Sequence, residues 1–210
     1  MKEAPSNGGD GPPGAANRRL YYDETDVESV VKNTAASVPG DHGRVAIACA
    51  LARIQPNDWQ RTWTQTAGWE SITTDIAIVG SGDSAAPVSD GSGSETLAEM
   101  DVRERSIDGS DLVELAQFVS ASIENWQRDG GADADARLVV CFDAIEELLG
   151  YHSRESLFKF LHLVGARLDA AGGRFVAFLD TEAVDEETKR ILSAVFDRAG
   201  PGTSSAEASD

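Results

Sequence analysis

The sequence predicts a three-layer α/β domain with a mostly parallel central sheet, and three observations carry that expectation. Short strand-like runs recur along the chain, at Arg44 to Leu51, Thr74 to Val79, Met100 to Ile107, Arg137 to Asp143 and Arg174 to Asp180. Most are apolar without strict alternation, the pattern of strands covered on both faces. The segments between them repeat apolar residues every three or four positions, as helices with one buried stripe do. Strands alternating with helices in this way build a layered domain through right-handed crossovers.

Length and charge bound the rest. A chain of 210 residues is long enough for one domain with a substantial core. Its 41% hydrophobic and 26% charged content is globular, unlike that of a disordered acidic tail. Lys and Arg number 18 against 36 Asp and Glu, a formal charge of -18 that repels nucleic-acid phosphates and anionic lipid. Direct nucleic-acid or membrane binding is not expected. Lysine occurs only at Lys2, Lys32, Lys159 and Lys189. A compact acidic domain repels itself unless salt screens it, and at 1 M salt the screening length is about 3 Å. The composition points to a high-salt cytoplasm. No run approaches the roughly 18 apolar residues of a membrane span, and the start of the chain carries no export-type apolar core.

Residues 1–19 are rich in Gly, Pro, Ala and Asn and read as a disordered tail, as do the small polar residues 199–210. The folded unit is expected over 20–198. Thr25 and Glu28 stand at capping-box spacing beside Val27, Val30, Val31 and Ala35, predicting a helix over 25–37 that ends before Pro39 and Gly40. After the first strand, Pro56-Asn57-Asp58 opens a short amphipathic helix with Trp59 and Trp63 on one face and Trp69 beyond. Residues 80–95 are small and polar and read as a flexible loop. Asp111 and Glu114 cap a helix carrying Leu112, Leu115, Ala116, Val119, Ile123 and Trp126 at helical spacing. The helix from Ser153 to Ala171 is apolar on more than one side and stops at Gly172-Gly173. A last helix, Asp185 to Ala199, puts Ile191, Leu192, Val195 and Phe196 on one face.

Ligands of open parallel sheets sit beyond the carboxyl ends of the strands, so chemistry is sought there. Val139-Val140-Cys141-Phe142-Asp143 ends in an acid, the pattern by which nucleoside triphosphatases hold magnesium. The companion G-x-x-x-x-G-K-[ST], which supplies amides and a lysine to phosphate, should follow the first strand. Leu51-Ala52-Arg53-Ile54-Gln55-Pro56-Asn57-Asp58 stands there instead, with neither glycine nor lysine. Gly80-Ser81-Gly82-Asp83-Ser84-Ala85, with Asp101 further on, has a superficial dinucleotide spacing, but Pro87 and the Ser/Gly run offer no helix to aim amides at pyrophosphate. Those glycines read as turn residues. His42, His152 and His162 are scattered; His152 near Asp143 or Glu146 would give an acid-base or metal pair, against the plainer role of a helix-start residue. Ser153 and Ser156 read as helix-start residues and Glu146-Glu147 as a solvated face. Cys49 and Cys141 lie within apolar runs and read as buried thiols. No catalytic residue and no metal ligand set is assigned.

Asp143-Ala144-Ile145-Glu146-Glu147-Leu148-Leu149, then Leu157-Phe158-Lys159-Phe160-Leu161-His162, Arg167-Leu168, Gly172-Gly173, Asp185-Glu186-Glu187-Thr188 and Val195-Phe196-Asp197 resemble RecA/KaiC-like ATPase domains. More narrowly, they resemble halophilic archaeal proteins related to KaiC-type signalling ATPases in which the phosphate loop has decayed. The resemblance covers about residues 44–198. It implies a RecA-like core, a remnant magnesium site at Asp143 and a sensor strand at Arg174 to Asp180. Without the loop's lysine and glycines, charge on a transferring phosphoryl group has no stabilising agent. Ala144 also stands where active relatives often carry a hydroxyl residue.

Two functions are weighed. One is a non-catalytic regulatory or protein-interaction module without a cofactor, pairing with a protein partner or a second copy of itself. Trp59, Trp63 and Trp69 would be its interaction anchors if exposed, with core packing as the other use of at least two. The alternative is a magnesium-dependent ATP-binding protein or NTPase in which Arg53 or Arg61 replaces the lysine.

Overall fold

Strand-forming residues divide by parity between two faces. In Arg44–Leu51, Val45, Ile47, Cys49 and Leu51 pack on one side of the sheet while the smaller Ala48 and Ala50 pack on the other. Both sides are therefore buried, which is why the run is apolar throughout. The computed structural model describes residues 17–38, 44–67, 72–80, 101–129 and 136–202. The loop beyond Gly80, Trp69, His42 and the outer part of each tail lie outside the described residues.

In chain order the elements are β1 (Arg18–Tyr22), α1 (Val27–Ala36), β2 (Arg44–Leu51), α2 (Pro56–Ala67), β3 (Ile72–Gly80), β4 (Asp101–Asp108) and α3 (Leu112–Arg128). There follow β5 (Ala136–Asp143), α4 (Ile145–Tyr151), α5 (Arg154–Ala170), β6 (Arg174–Leu179), α6 (Glu186–Ser193) and β7 (Arg198–Pro201). The strands form one 7-stranded sheet in the order β4-β3-β2-β5-β6-β1-β7. Every neighbouring pair is parallel.

Right-handed crossovers send chain moving one way across the sheet over one face and chain moving the other way over the opposite face. Accordingly α1 and α2 cover one side, where Val30, Val31, Trp59 and Trp63 meet Cys49, Ile76, Val139, Cys141, Val176 and Phe178. Helices α3, α4, α5 and α6 cover the other through Leu115, Phe118, Leu148, Leu157, Leu161 and Leu192. The domain is three-layered.

Trp59 and Trp63 are fully buried, with their rings stacked 5.0 Å apart between α2 and the sheet. They are core residues, and burial withdraws them as surface anchors. A stacked aromatic pair adds about 0.5–1.5 kcal/mol beyond its area burial.

Both chain ends depart from expectation. Arg18 and Arg19 fall within the residues read as a tail, yet they begin β1, where Leu20 and Tyr21 are buried between β6 and β7. The last helix stops at Ser193 and not at Ala199; residues 198–201, read partly as tail, form the edge strand β7. Asp197 makes this possible, since its carboxylate accepts from the backbone N–H groups of Asn17 and Arg18, each at 3.0 Å. One side chain thereby fastens the start of β1 to the start of β7. Helix α1 begins at Val27 because Asp26, not Thr25, is the cap: its carboxylate accepts from Ser29 N–H at 2.9 Å.

Candidate functional site

Strand order fixes where a ligand crevice can open. Adjacent strands whose following helices depart to opposite faces leave a gap at their carboxyl ends. β2 leads into α2 while its neighbour β5 leads into α4 on the other face, giving one such point. β6 leads to α6 and its neighbour β1 to α1, giving a second.

The first crevice holds Arg53, Asp143 and Glu146. Asp143 ends β5 with its side chain wholly buried, and Arg53, just past β2, keeps 30% of its side-chain exposure. The guanidinium donates to Asp143 Oδ1 through Nε at 3.0 Å and through its terminal Nη2, and Nη1 lies 3.3 Å from Glu146 Oε1. Burial pushes the Asp143 pKa up and the Arg53 hydrogen bond and charge pull it back, with a net direction upward. Burial alone would lower the Arg53 pKa, but the bond and charge of Asp143 outweigh it and the guanidinium is held above its usual range. Glu146 Oε1 also accepts the backbone N–H of Asp180. The expected solvated face at Glu146 is thus corrected: this side chain turns inward because α4 starts directly above the buried end of β5.

The second crevice is lined by Asp23, just after β1, and by Asp180 and Thr181, just after β6. Asp23 adopts a left-handed backbone, φ 61°, which Asp tolerates better than most residues. Its Oδ1 accepts from Thr181 N–H at 2.9 Å and from the Thr181 hydroxyl at 2.6 Å. Those bonds hold the Asp23 carboxyl below its ordinary range. Glu182 N–H donates to Asp180 Oδ1 at 2.9 Å. Thr181 and Asp23 were not anticipated as site residues. The signal that would have found them is the brief aromatic run Arg18-Arg19-Leu20-Tyr21-Tyr22, which is β1.

Of the strand-loop-helix connections at this edge, the two that enter α1 and α2 lack the composition of a phosphate cradle. The β2–α2 connection carries Arg53 without glycine or lysine, and the β1–α1 connection is Asp23-Glu24-Thr25-Asp26. Asp23 accepts from the Thr181 amide and hydroxyl, Asp26 from the Ser29 amide, and Glu24 is buried.

Other sequence candidates lie elsewhere. Arg61 is 66% exposed and pairs with Asp58 within α2, so it is not brought to Asp143. His152 Nε2 bonds the Gly109 carbonyl at 2.9 Å, tying α4 to the β4–α3 turn. His162 is exposed and stacks on Phe158. Ser153 caps α5 by accepting from Ser156 N–H at 3.2 Å. Cys49 and Cys141 are buried thiols facing each other in register across β2 and β5, and burial pushes the Cys49 thiol well above its ordinary range. Among the described residues, no group of three or more His, Cys, Asp or Glu could hold a metal ion. No helix among them is long and apolar enough to cross a membrane.

Comparison with known proteins adds one finding. Residues 15–199 match a family model described as a family of unknown function, DUF7504, which takes in every element from β1 to α6. No curated protein and no solved structure matches the chain.

Proposed function

We propose, from the premise that this chain belongs to the DUF7504 family, that it is a non-catalytic, RecA/KaiC-like regulatory or protein-interaction module of a high-salt cytoplasm. One observation carries the reading: at the carboxyl edge of the sheet, the groups that would grip an anionic ligand already end on carboxylates of the chain itself. Arg53 is engaged by Asp143 and Glu146, Asp180 N–H by Glu146, and Thr181 by Asp23. A triphosphate would have to displace these partners against a formal charge of -18. No cofactor enters this reading, and its partner is another protein or a second copy of the chain.

The competing reading keeps Arg53 as a substitute for the phosphate-loop lysine and Asp143 as a magnesium holder. Arginine binds phosphate well, so the two readings differ in whether Arg53 leaves Asp143. Calorimetric titration with magnesium and ATP in molar potassium chloride separates them. The expected result is no saturable heat from the wild type. Saturable heat that Asp143→Ala abolishes would overturn the proposal. Sedimentation in the same salt then reports whether the chain assembles with itself.

A further inference from the structure

The amino-terminal edge of the sheet, opposite the two crevices, carries a ladder of arginines. Arg137, Arg174, Arg19 and Arg198 stand at the first or second position of β5, β6, β1 and β7, strands that are neighbours in that order. Register steps them across the edge. Arg174 pairs with Val139, two past Arg137; Arg19 pairs with Val176, two past Arg174; and Arg198 pairs with Arg19 itself. All four belong to one face, because side chains alternate along a strand and register partners share a side. Arg137 has the parity of Val139, Arg174 that of Val176 and Arg19 that of Tyr21, residues that pack on the side covered by α1 and α2. Six arginines elsewhere pair with carboxylates of the chain itself. Arg19 and Arg198 form no ion pair among the described residues. Arg19 donates through Nη1 to the Tyr21 hydroxyl at 3.3 Å, its Nε is buried without an acceptor among the described residues, and Arg198 is exposed. Burial, with the charges of Arg19 and Arg137, holds the Arg174 guanidinium below its usual range. Positive charge is gathered here in a chain whose formal charge is -18.

We propose that this arginine ladder is a docking surface for an extended, carboxylate-rich segment of a partner protein. The proposal rests on the reading of the chain as an interaction module and names the chemistry of its partner. Four adjacent strands span about 14 Å, the length of about four or five extended residues, and acidic side chains on alternate residues of such a segment recur about every 6.6 Å. Guanidinium forks match carboxylates bidentately, and arginine is enriched where binding energy concentrates. In molar salt the screening length is about 3 Å, so repulsion from the remaining acidic surface fades while contacts at hydrogen-bond distance persist. A nucleic-acid duplex fits less well, because it carries a charge about every 1.7 Å along its length and would set phosphates against that acidic surface too.

The test uses the full chain and a fluorescein-labelled synthetic peptide of alternating Glu and Ala, with binding read by anisotropy in half-molar and molar potassium chloride. The same peptide with Gln in place of Glu is the control. The acidic peptide is expected to bind about tenfold or more tightly than the Gln peptide, and Arg19→Gln/Arg198→Gln to lower its affinity about tenfold. Arg198→Gln alone changes an exposed position, so it keeps the test decisive where the double variant does not fold, and should cost about threefold. Arg167→Gln removes an equal charge from α5, on the other layer, where the side chain is 50% exposed, and should leave affinity within about 1.5-fold. Equal affinity for the Glu and Gln peptides, or an Arg198→Gln affinity within about 1.5-fold of wild type, would overturn the proposal. So would tighter binding of an oligodeoxythymidylate than of the acidic peptide, which would assign the ladder to phosphate. A dimer in sedimentation that the double variant returns to monomer would assign it to a second copy and overturn the separate partner. These failures are distinct from failure of the regulatory reading, which turns on magnesium-ATP heat from the wild type and on Asp143.

Discussion

Replacing Arg53 by Met tests the ionic crevice at its most sensitive point. The methionine keeps most of the stem's packing and removes the charge, leaving Asp143 fully buried with no cation against it. Breaking a buried pair by deleting one partner costs about 3–5 kcal/mol, because the surviving charge stays desolvated. Water reaches Arg53, whose side chain is 30% exposed, so the loss belongs at the lower end, about 3 kcal/mol. For a domain of this size that lowers Tm by roughly 6–12 °C. The sign of the pH dependence follows from Asp143. Its carboxyl is already held above its ordinary value by burial, with Arg53 the main opposing influence. A carboxyl whose folded pKa exceeds its unfolded pKa binds protons more readily when folded, so its penalty is greatest at neutral pH and relaxes as pH falls through the folded pKa. Losing Arg53 raises that folded pKa further. The deficit of Arg53→Met against the wild type should therefore be largest near neutrality and shrink on acidification. Urea unfolding at a series of pH values measures it, with Arg53→Met/Asp143→Asn as the closing corner of a double-mutant cycle. The double variant should regain most of the loss. A deficit below about 1 kcal/mol, or one that does not change with pH, would refute the picture of Asp143 as a buried charge dependent on Arg53.

Two further outcomes follow from the core. Trp63→Ala should destabilise the fold by about 3–5 kcal/mol in the same urea assay, since it empties a fully buried site and removes the partner of Trp59; a loss under about 1 kcal/mol would mean the pair packs at a surface. Cys49 and Cys141 should react with an aromatic disulfide reagent only as fast as the domain opens, because both thiols are buried and the Cys49 thiol is held protonated; rapid native-state labelling would contradict their placement.

The interior of the fold was legible because its strands are covered on both faces. β2 was bounded to the residue, and β5 and β6 nearly so, since nothing but an apolar run survives between two helical layers. Long helices with a cap at one end and glycines at the other were equally plain: α5 starts after Ser153 and ends before Gly172, which sits at φ 70°. The edges were not legible. β1 has five residues and β7 four, too short for any period to emerge, and each depends on partners far along the chain. Nor could spacing predict that Trp59 and Trp63 point inward and not out, because an apolar stripe at helical spacing describes both arrangements.

Missing β1 had a consequence for the site. A search for phosphate-binding residues placed after the first visible strand inspects only the connection that follows β2, whereas the structure presents a second strand-loop-helix unit at β1–α1. The two connections carry opposite charge. One brings Arg53 to the sheet edge and the other brings Asp23, and each meets its complement on the neighbouring strand that departs to the opposite face: Arg53 on Asp143 after β2, Asp23 on Thr181 after β1. Composition alone predicts that neither loop cradles a triphosphate. Only the strand order reveals that the two switch points, open by topology, are both occupied from within the chain, the first by ion pairs and the second by hydrogen bonds from Thr181 to Asp23, with Glu146 touching both Arg53 and the Asp180 amide.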